Sequence, residues 1–269
     1  MKKIFAIILA GLMMFSLAAC GGNTDTETTT AAPDAAADSD LAYVQDKGTL
    51  IVGITDYAPM DYKEEGSDEW TGFDAEFARL VGADLGVEIE FIEIDWDNKF
   101  FELDAKAIDC VWNGMTITPE ALANASVSDA YVKNAQVVVM ASDKLADYAT
   151  VESLKDLEFA AEAGSAGEKA LKENGLNCTA VSAQTDALRE VKSGAVDACV
   201  IDITMANAMT GEGTSYAELG YSLELTSEEY GIAFRQGSDL TAAVNELMAA
   251  YKADGSLQAL ADKYELTLA

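Results

Sequence analysis

The sequence contains no histidine, which removes the usual general base of serine and cysteine nucleophile systems and the commonest transition-metal ligand. Basic residues are scarce too, since 17 Lys and Arg face 47 Asp and Glu and give a formal net charge of −30. A field of that sign repels nucleic acid and anionic lipid headgroups. We therefore expect no nucleic-acid partner, no bound metal, no cofactor and no His-based catalysis.

Long apolar runs are missing as well, apart from one at the N-terminus. Met-Lys-Lys precedes the apolar residues 4–19, and a run of that length after a charged start is typical of a signal peptide. The run ends in Leu17-Ala-Ala-Cys20, which resembles the lipobox of bacterial lipoproteins. The resemblance implies removal of residues 1–19 and a lipid anchor on Cys20. Ordinary secretion with an unmodified Cys20 is the alternative.

Residues 20–40 lack large apolar side chains and consist mainly of Thr, Ala, Asp and Gly. Such a segment cannot bury enough apolar surface to offset its ordering entropy. We interpret it as a disordered acidic tether. The remaining residues, 41–269, are long enough for two lobes of ordinary size, each with its own core.

Cysteine is rare, with four in the chain. Once Cys20 is assigned to a lipid, Cys110, Cys178 and Cys199 remain, an odd number that cannot all pair within one chain. Buried free thiols are the simplest interpretation. A bridge between Cys178 and Cys199 is the alternative, although in an α/β sheet their strands would flank a third strand.

Strand and helix patterns alternate along the chain, as expected of an α/β protein whose ligands lie at the carboxyl ends of the strands. Strands are predicted at 49–54, 87–91, 109–112, 135–140, 158–163, 178–181, 198–201, 221–225 and 230–234. Helices are predicted at 74–85 and 98–105, from near 167 and 185, and at 240–248 and 257–264. Asn174-Gly175 and Ser193-Gly194 are suitable C-terminal caps for two of these helices.

The segment Asn113-Gly-Met-Thr-Ile-Thr118 places hydroxyl groups and free backbone at a strand end, and an extended apolar run follows it. Further motifs occur in a fixed order: Thr71-Gly-Phe-Asp74, Gly194-Ala-Val-Asp-Ala-Cys-Val-Ile-Asp202, Tyr230-Gly-Ile-Ala-Phe234 and Ala253-Asp-Gly-Ser256. Together they resemble the family 3 extracellular solute-binding proteins, which feed amino-acid ABC importers. The resemblance covers almost all of residues 41–269.

The resemblance implies an α/β fold with a bilobal, periplasmic-binding-protein-like clamshell, in which two α/β lobes are joined by two hinge strands. Residues 41–130 and 230–269 would form lobe 1, residues 136–225 lobe 2, and residues 131–135 and 226–229 the hinge. The implied function is an extracytoplasmic lipoprotein that captures a small polar solute, foremost an amino acid. Its partners would be an ABC permease with its ATPase subunits and, through Cys20, the cell membrane. We expect a monomer.

In this interpretation Trp96 stacks on the ligand, Gly114 and Thr116 meet its amino group, and Asp202 pairs with that amine from lobe 2. The N–H groups at the start of the helix near 167 face a carboxylate. The residues placed around the solute are Asp56, Tyr57, Trp96, Asn113, Gly114, Thr116, Thr118, Ser165, Ala166 and Asp202. Asp202, Trp96 and the turn around Ser165 and Ala166 each have a structural alternative.

Asp202 is also a suitable N-cap for a helix starting at Ile203, and Trp96 could be a core aromatic. The alternative for Gly164-Ser-Ala-Gly167 is a tight strand-to-helix turn, which needs the glycines for its backbone dihedral angles and assigns them no ligand.

The sequence departs from the family at one position. The family pattern Thr-x-Thr-x-x-Arg has an Arg that binds the ligand's α-carboxylate, whereas this chain has Ala121 there. Either backbone N–H groups and Thr118 hold the carboxylate without a cation, or the ligand is a cationic amine or another solute that is not an α-amino acid. The acids Glu162, Asp202 and Asp56 favour a cationic ligand in the second case.

No other cation is an obvious replacement for the missing Arg. Arg79, Arg189 and Arg235 are assigned to other helices or to the far end of a strand, and the sequence leaves the direction of Lys133 open. Some dehydratases of cyclohexadienyl acids have a similar fold, but the lack of both His and the Arg of the Thr-x-Thr-x-x-Arg pattern argues against that activity. A third functional hypothesis is a sensor module, which a partner receptor would recognise.

Overall fold

The computed structural model describes residues 39–269. The predicted signal peptide, Cys20 and nearly all of the predicted tether lie outside these residues. No helix within 39–269 has the length and apolar character needed to cross a membrane.

The described residues alternate between strands and helices. The helices are α1 (Asp40–Lys47), α2 (Phe73–Leu85), α3 (Lys99–Asp104), α4 (Pro119–Asn124), α5 (Ala166–Glu173), α6 (Gln184–Ser193), α7 (Ile203–Met209), α8 (Leu240–Asp254) and α9 (Ser256–Lys263). Short 3-10 turns cover Trp96–Asn98, Leu145–Asp147 and Val151–Leu154. The strands of the first half are β1 (Thr49–Ile54), β2 (Tyr62–Lys63), β3 (Trp70–Thr71), β4 (Glu88–Glu93), β5 (Cys110–Val111), β6 (Ser126–Val127) and β7 (Val132–Asn134). The later strands are β8 (Gln136–Ala141), β9 (Glu158–Glu162), β10 (Asn177–Val181), β11 (Ala198–Asp202), β12 (Leu219–Glu224), β13 (Glu228–Tyr230) and β14 (Ala233–Phe234).

Two five-stranded sheets form the centres of two lobes. The lobe 1 sheet has the order β4-β1-β5-β14-β6, with β1 parallel to β4 and β5, and β14 antiparallel to β5 and β6. The lobe 2 sheet has the order β10-β9-β11-β8-β12, with β9 parallel to β10 and β11, and β8 antiparallel to β11 and β12. The α/β fold predicted from the strand and helix pattern is confirmed.

Strands β7 and β13 form a separate antiparallel pair through which the chain passes between the two sheets. Val132 pairs with Tyr230 and Asn134 with Glu228. The C-terminal residues join this pair, because the Lys133 N–H donates to the Thr267 carbonyl at 2.9 Å and Val132 forms a bridge with Leu268.

Helix α2 shows how the apolar pattern builds the lobe 1 core. Phe73, Phe77 and Val81 recur at helical spacing and are fully buried, and the Phe77 ring packs edge-on against Trp112 at 4.9 Å. Gly86, at φ +74°, ends the helix in the left-handed conformation that favours glycine. The predicted helix at 74–85 is confirmed, and it places buried Asp74 beneath the cleft described below.

The structure corrects two predictions of the sequence. Helix α1 begins at Asp40, inside the segment 20–40 predicted to be disordered, because Ser39 caps the helix and buried Asp40 pairs with Arg235 at 3.0 Å. The single strand predicted at 230–234 is two strands, β13 of the crossing pair and β14 of the lobe 1 sheet, because the chain passes at Gly231 from one pairing partner to another.

Cys110, Cys178 and Cys199 are free thiols, as predicted, with Cys110 and Cys199 buried. Cys178 lies on β10 and Cys199 on β11, and β9 separates these strands. Burial raises the pKa of the Cys199 thiol and, together with the charge of Asp109, that of Cys110.

Candidate functional site

A cleft of about 300 Å³ lies between the lobes, where the carboxyl ends of β9 and β11 face the loop after β5. Of the predicted site residues, Tyr57, Trp96, Asn113, Gly114, Thr116, Thr118, Ser165, Ala166 and Asp202 line it. The lobes touch beside it, because Lys99 Nζ in lobe 1 donates to the Gly164 carbonyl of lobe 2 at 3.1 Å. The described structure is therefore a closed arrangement of the lobes.

Asp56 is the one predicted site residue that does not line the cleft. Its side chain is exposed. Partial burial, followed by the charge of Glu93, raises the pKa of its carboxyl, while Arg189 of lobe 2 lowers it. Asp56 therefore lies outside the cleft wall, and we leave it out of the set proposed to contact the solute.

Tyr57 is buried at the junction of the lobes. Its hydroxyl is hydrogen-bonded to Thr204 of α7 and to the hydroxyl of Tyr230. Burial, and then the charge of Asp202, raise the pKa of Tyr57 well above its ordinary value. Tyr57 is therefore a neutral hydroxyl that joins lobe 1 to α7 of lobe 2.

Asn113 and Gly114 form the wall of the cleft through bonds that point back into lobe 1. The Asn113 amide donates to Asp61 at 2.8 Å and accepts the Thr55 N–H at 3.0 Å. The Gly114 N–H donates to Asp74 at 2.7 Å. Gly114 has φ +56°, and a Cβ there would lie 2.6 Å from the Tyr57 ring, so this position requires glycine.

The two threonines of the Thr-x-Thr-x-x-Arg pattern make different hydrogen bonds. Thr116 donates its hydroxyl to Glu228 at 3.1 Å, so it contacts the crossing strands. Thr118 is the N-cap of α4 and accepts the Ala121 N–H at 3.1 Å. Its hydroxyl hydrogen remains available to an acceptor in the cleft.

Asp202 is the last residue of β11, and it is almost fully buried in a network of donors. One carboxylate oxygen accepts from Asn134, from Gln136 at 2.8 Å and from Tyr230 at 2.8 Å. The other accepts from Gln184 at 2.6 Å. The side chain makes no capping bond to α7, so capping does not account for this residue. Burial, and then the charge of Glu228, raise the pKa of Asp202 to about 7.

The loop before α5 brings backbone N–H groups to the lobe 2 side of the cleft. Ser165 caps the helix by accepting the Glu168 N–H at 3.1 Å. Within residues 39–269, no acceptor is found for the N–H groups of Ala166 and Gly167, which open the helix. Free N–H groups at a helix N-terminus favour an anion.

The structure brings a buried cation into the cleft that the sequence analysis missed. Lys99 begins α3, is 8% exposed, and donates to the carbonyls of Trp96 at 3.0 Å and Gly164 at 3.1 Å. Burial lowers the pKa of its ammonium, while the charges of Glu120 and Glu162 raise it. The sequence signal that could have identified Lys99 is its position directly after Trp96-Asp-Asn98, in an acidic part of the chain.

Ala121 also lines the cleft, so the position that carries Arg in the family pattern faces the same space. Arg79 donates to the Trp70 carbonyl at 2.7 Å, and Arg235 is buried between Asp40 and Asp109. Arg189 is exposed and pairs with Asp186. None of these three guanidinium groups lines the cleft. Lys133 is exposed and lines a separate groove behind the crossing strands, so it does not supply the missing charge.

Glu162, the last residue of β9, lines the cleft with a carboxyl group that lacks a partner. The residue is 2% exposed, and its Oε1 has no hydrogen-bond partner among the described residues. Burial, and then the charge of Asp202, raise its pKa to about 8. A buried acid without partners is costly unless it is neutral or meets a cation.

No group of three or more side chains suited to hold a metal ion is found in residues 39–269. The buried charged groups of the cleft are instead the ammonium group of Lys99 and the carboxyl groups of Glu162 and Asp202, with the free N–H groups beside them. Lys169 and Lys172, which also line the cleft, have more exposed side chains and pair with Glu173 and Glu168. The buried groups fit a small solute that carries charges of both signs.

Comparison with known proteins is consistent with this geometry. Residues 50–267 match the model of the bacterial extracellular solute-binding proteins, family 3. The arginine-binding extracellular protein ArtP of Bacillus subtilis is 31% identical, over 98% of each chain. The L-cystine-binding protein TcyJ of Escherichia coli K12 is 29% identical, over 83% of this chain and 85% of TcyJ.

Solved structures show the same architecture. The ancestral amino-acid-binding protein AncCDT-1, described as a precursor of cyclohexadienyl dehydratase, superposes with a TM-score of 0.77 at 32% identity, over 84% of this chain and 99% of that one. A variant of ArgBP from T. maritima also gives 0.77, at 30% identity over 84% and 98%. The bilobal clamshell fold is thereby confirmed, and the chain belongs to the bacterial extracellular solute-binding proteins of family 3.

Proposed function

We propose that this protein is the substrate-binding lipoprotein of an ABC importer, which captures an amino acid outside the cytoplasm and delivers it to a membrane permease with its ATPase subunits. The closed cleft carries this proposal, because it combines an anion-binding side and a cation-binding side in about 300 Å³. A solute that touches both lobes stabilises the closed state, which is the form that a permease would read.

Each end of an amino acid has a complement in the cleft. The carboxylate meets the N–H groups of Ala166 and Gly167 and the ammonium group of Lys99. The ammonium group of the solute meets Asp202, while Trp96 contributes the apolar wall. The N–H groups and Asp202 belong to lobe 2, whereas Lys99 and Trp96 belong to lobe 1.

The remaining wall residues shape the cleft. Tyr57, Asn113, Gly114 and Thr116 hold its floor through bonds to neighbouring residues, and Thr118 and Ser165 present hydroxyl groups at its edge. The similar proteins are named for arginine and cystine, which supports an amino acid as the solute.

A thermal-shift screen of the purified protein tests the proposal. Amino acids, amines and short peptides are compared, because a ligand at 100 times its Kd adds about 2.7 kcal/mol of stability. We expect at least one amino acid to raise the unfolding temperature and to reduce the radius of gyration in solution scattering. Stabilisation by none of the amino acids would contradict the proposal.

A cationic amine is the second candidate solute, favoured by Ala121 in place of the family's Arg and by the unpartnered Glu162. The same screen separates the two candidates. Stabilisation by diamines, without stabilisation by α-amino acids, would show that the solute needs no carboxylate.

We also propose that the protein binds its solute without converting it, as the names of the similar proteins indicate. The relation to a precursor of cyclohexadienyl dehydratase makes the control experiment clear. Turnover of prephenate or arogenate by the purified protein would contradict pure binding.

The lipid anchor on Cys20 is the remaining part of the proposal, and it rests on the sequence Leu17-Ala-Ala-Cys20. Two long acyl chains hold a protein durably on a membrane, since each buried CH₂ contributes about 0.8 kcal/mol. Cys20→Ala is expected to move the protein from the membrane fraction to the medium. Membrane retention of this variant would contradict the anchor.

A further inference from the structure

We propose that Glu162 receives a positively charged group of the solute other than its α-ammonium group, so that the cleft selects amino acids with a cationic side chain. This inference rests on the proposed function and assigns the solute class. It starts from one observation, a buried carboxyl group in the cleft without a partner.

The position of Glu162 leaves its side chain without a partner among residues 39–269. It ends β9 beside Asp202 of β11, which lies next to β9 in the lobe 2 sheet. Its Oε1 is fully buried without a hydrogen bond, and no ion pair within 4.0 Å reaches it from the described residues. Buried Asp109, by contrast, pairs with Lys47 and Arg235, and the buried acids Asp61 and Asp74 accept hydrogen bonds at their other oxygen from Asn113 and from Gly114 and Tyr131.

The other charged groups of the cleft have partners or uses of their own. Lys169 and Lys172 of α5 pair with Glu173 at 4.0 Å and with Glu168 at 2.7 Å. Lys99 and the free N–H groups of Ala166 and Gly167 complement one carboxylate. Asp202 already accepts hydrogen bonds from several protein donors and complements one ammonium group. A solute with a neutral side chain would therefore leave Glu162 buried and unpaired, whereas a third charged group would pair with it.

Binding of a positively charged group at Glu162 is coupled to the release of a proton. Burial raises the pKa of Glu162 to about 8, so the side chain is mainly protonated at pH 7 without a solute. The charged groups that act on it are Asp202 of β11, Lys99 of α3, Asp95 before the 3-10 turn and Asp186 of α6. Of these four groups, Lys99 lowers the pKa of Glu162 and the three acids raise it.

The step balances as an exchange of cations. The neutral carboxyl group of Glu162 loses its proton to water, and the resulting carboxylate pairs with the positive group of the solute. Because the paired carboxylate is favoured over the protonated acid, we expect release of about 0.5 to 1 proton per solute at pH 7.

Calorimetric titration with L-arginine and L-citrulline tests the inference, since the two differ mainly in the charge of the side chain. Wild-type protein is expected to bind L-arginine at least about tenfold more tightly, the ratio that corresponds to one charge-assisted hydrogen bond. Titrations in two buffers of different ionisation enthalpy measure the proton release. Glu162→Gln should abolish the preference and the part of the proton release that L-arginine shows in excess of L-citrulline, because Asp202 releases protons with both amino acids.

Glu158→Gln is the matched control, because Glu158 is an exposed glutamate at the other end of the same strand. It should bind both amino acids as the wild-type protein does. The pH dependence of wild-type binding is a second readout that does not depend on a variant. Affinity for L-arginine should rise from pH 6 to pH 9, whereas that for L-citrulline should rise less.

The outcomes separate this inference from the proposed function. Equal affinities of the wild-type protein for L-arginine and L-citrulline, or an unchanged preference in Glu162→Gln, would overturn the inference. Binding of only neutral or acidic amino acids would also overturn it, while the proposed function would stand. Failure of every amino acid to bind would overturn both.

Discussion

Lys99 is the buried cation of the cleft, and it lines the same cleft as Ala121, the position where the family pattern has an Arg. Two of its three N–H groups donate to the carbonyls of Trp96 and Gly164. The third is available to a carboxylate. A Lys is a point charge and does not reproduce the bidentate grip of an Arg. We therefore expect the helix α5 N–H groups to contribute more of the carboxylate binding here.

Lys99→Met tests that role while keeping the length of the side chain. Loss of one charge-assisted bond of about 1.5 to 3 kcal/mol should weaken binding of the best amino acid from the thermal-shift screen by about 10- to 100-fold. Calorimetry should show a smaller loss for the corresponding decarboxylated amine. Lys155→Met, at an exposed lysine paired with Glu152, is the control. Equal losses for amino acid and amine would mean that Lys99 only joins the lobes.

The residues of the cleft could be predicted from the sequence only where a local motif marks them. Thr116 and Thr118 lie in the patterned segment between β5 and α4, and Asp202 ends β11; the structure places all three in the cleft wall. Lys99 could not be found this way, because its role depends on the Gly164 carbonyl of the other lobe. The sequence places Asp56 next to Tyr57, but successive side chains point in different directions. Tyr57 lines the cleft, whereas Asp56 faces solvent.

The loop between β9 and α5 controls how closely the lobes approach each other. Gly164 has φ +68°, and a Cβ on it would lie 2.5 Å from Asp97 Oδ1 and 2.8 Å from Asp97 Cα. Asp97 belongs to the 3-10 turn of lobe 1. The contact involves backbone, which cannot move aside as a flexible side chain would. A side chain at Gly164 therefore collides with lobe 1 in this closed arrangement, in addition to the backbone strain that its positive φ brings.

Gly164→Ala should consequently shift the protein toward an open arrangement. We expect about tenfold or greater loss of solute affinity, because the apparent Kd rises as the competent population falls. Solution scattering with saturating solute should show a larger radius of gyration than for wild-type protein. Gly175→Ala is the matched control, since Gly175 has φ +66° with no atom within 4 Å of the added Cβ. Compaction of Gly164→Ala like that of wild-type protein would refute the steric argument.

At the scale of elements, the periodic segments could be predicted and the short ones could not. Helix α2 and strands β1 and β9 have long apolar patterns, and they occur where the sequence places them. Strands β13 and β14 are only three and two residues long, and they were predicted as one. Their separation depends on pairing with β7 and β5, which are distant in sequence. Helix α1 depends likewise on the pairing of Asp40 with Arg235.

Across the whole molecule, buried acids link stability to pH. Burial is the main cause that raises the pKa of Asp74 and Asp202 to about 7 and that of Glu162 to about 8, and it raises the pKa of Asp61 as well. These folded-state values lie above the unfolded values of about 4. The stability that these groups contribute is thus fully present below about pH 4 and is lost as pH rises through 7 to 8.

We therefore expect the solute-free protein to unfold at a lower temperature at pH 8 than at pH 5.5, with a loss of at least about 1.4 kcal/mol, the value of a one-unit pKa change. Circular dichroism melts measure this loss. The double variant Asp74→Asn with Glu162→Gln should show a shallower dependence. Glu76, Glu168 and Asp239, whose pKa values are lowered, act in the opposite direction mainly below about pH 4.5.

Charge repulsion within a chain of net charge −30 also lowers stability as the pH rises, so it must be separated from the effect of the buried acids. High salt screens exposed charges far more than buried ones. The pH dependence of stability should accordingly persist in 1 M salt, where the screening length is about 3 Å. A higher unfolding temperature at pH 8 than at pH 5.5 would contradict the assignment.

The place of β14 in the lobe 1 sheet has a consequence for the order of folding. Strand β14 lies between β5 and β6, so the sheet lacks an inner strand until residues 233–234 are available. The lobe 2 sheet, in contrast, takes all its strands from one continuous stretch, β8 to β12. During synthesis and export from the N-terminus, lobe 2 can complete its sheet first, whereas lobe 1 must wait for the end of the chain. The exposed edges of β5 and β6 are therefore the natural point for chaperone protection or misfolding.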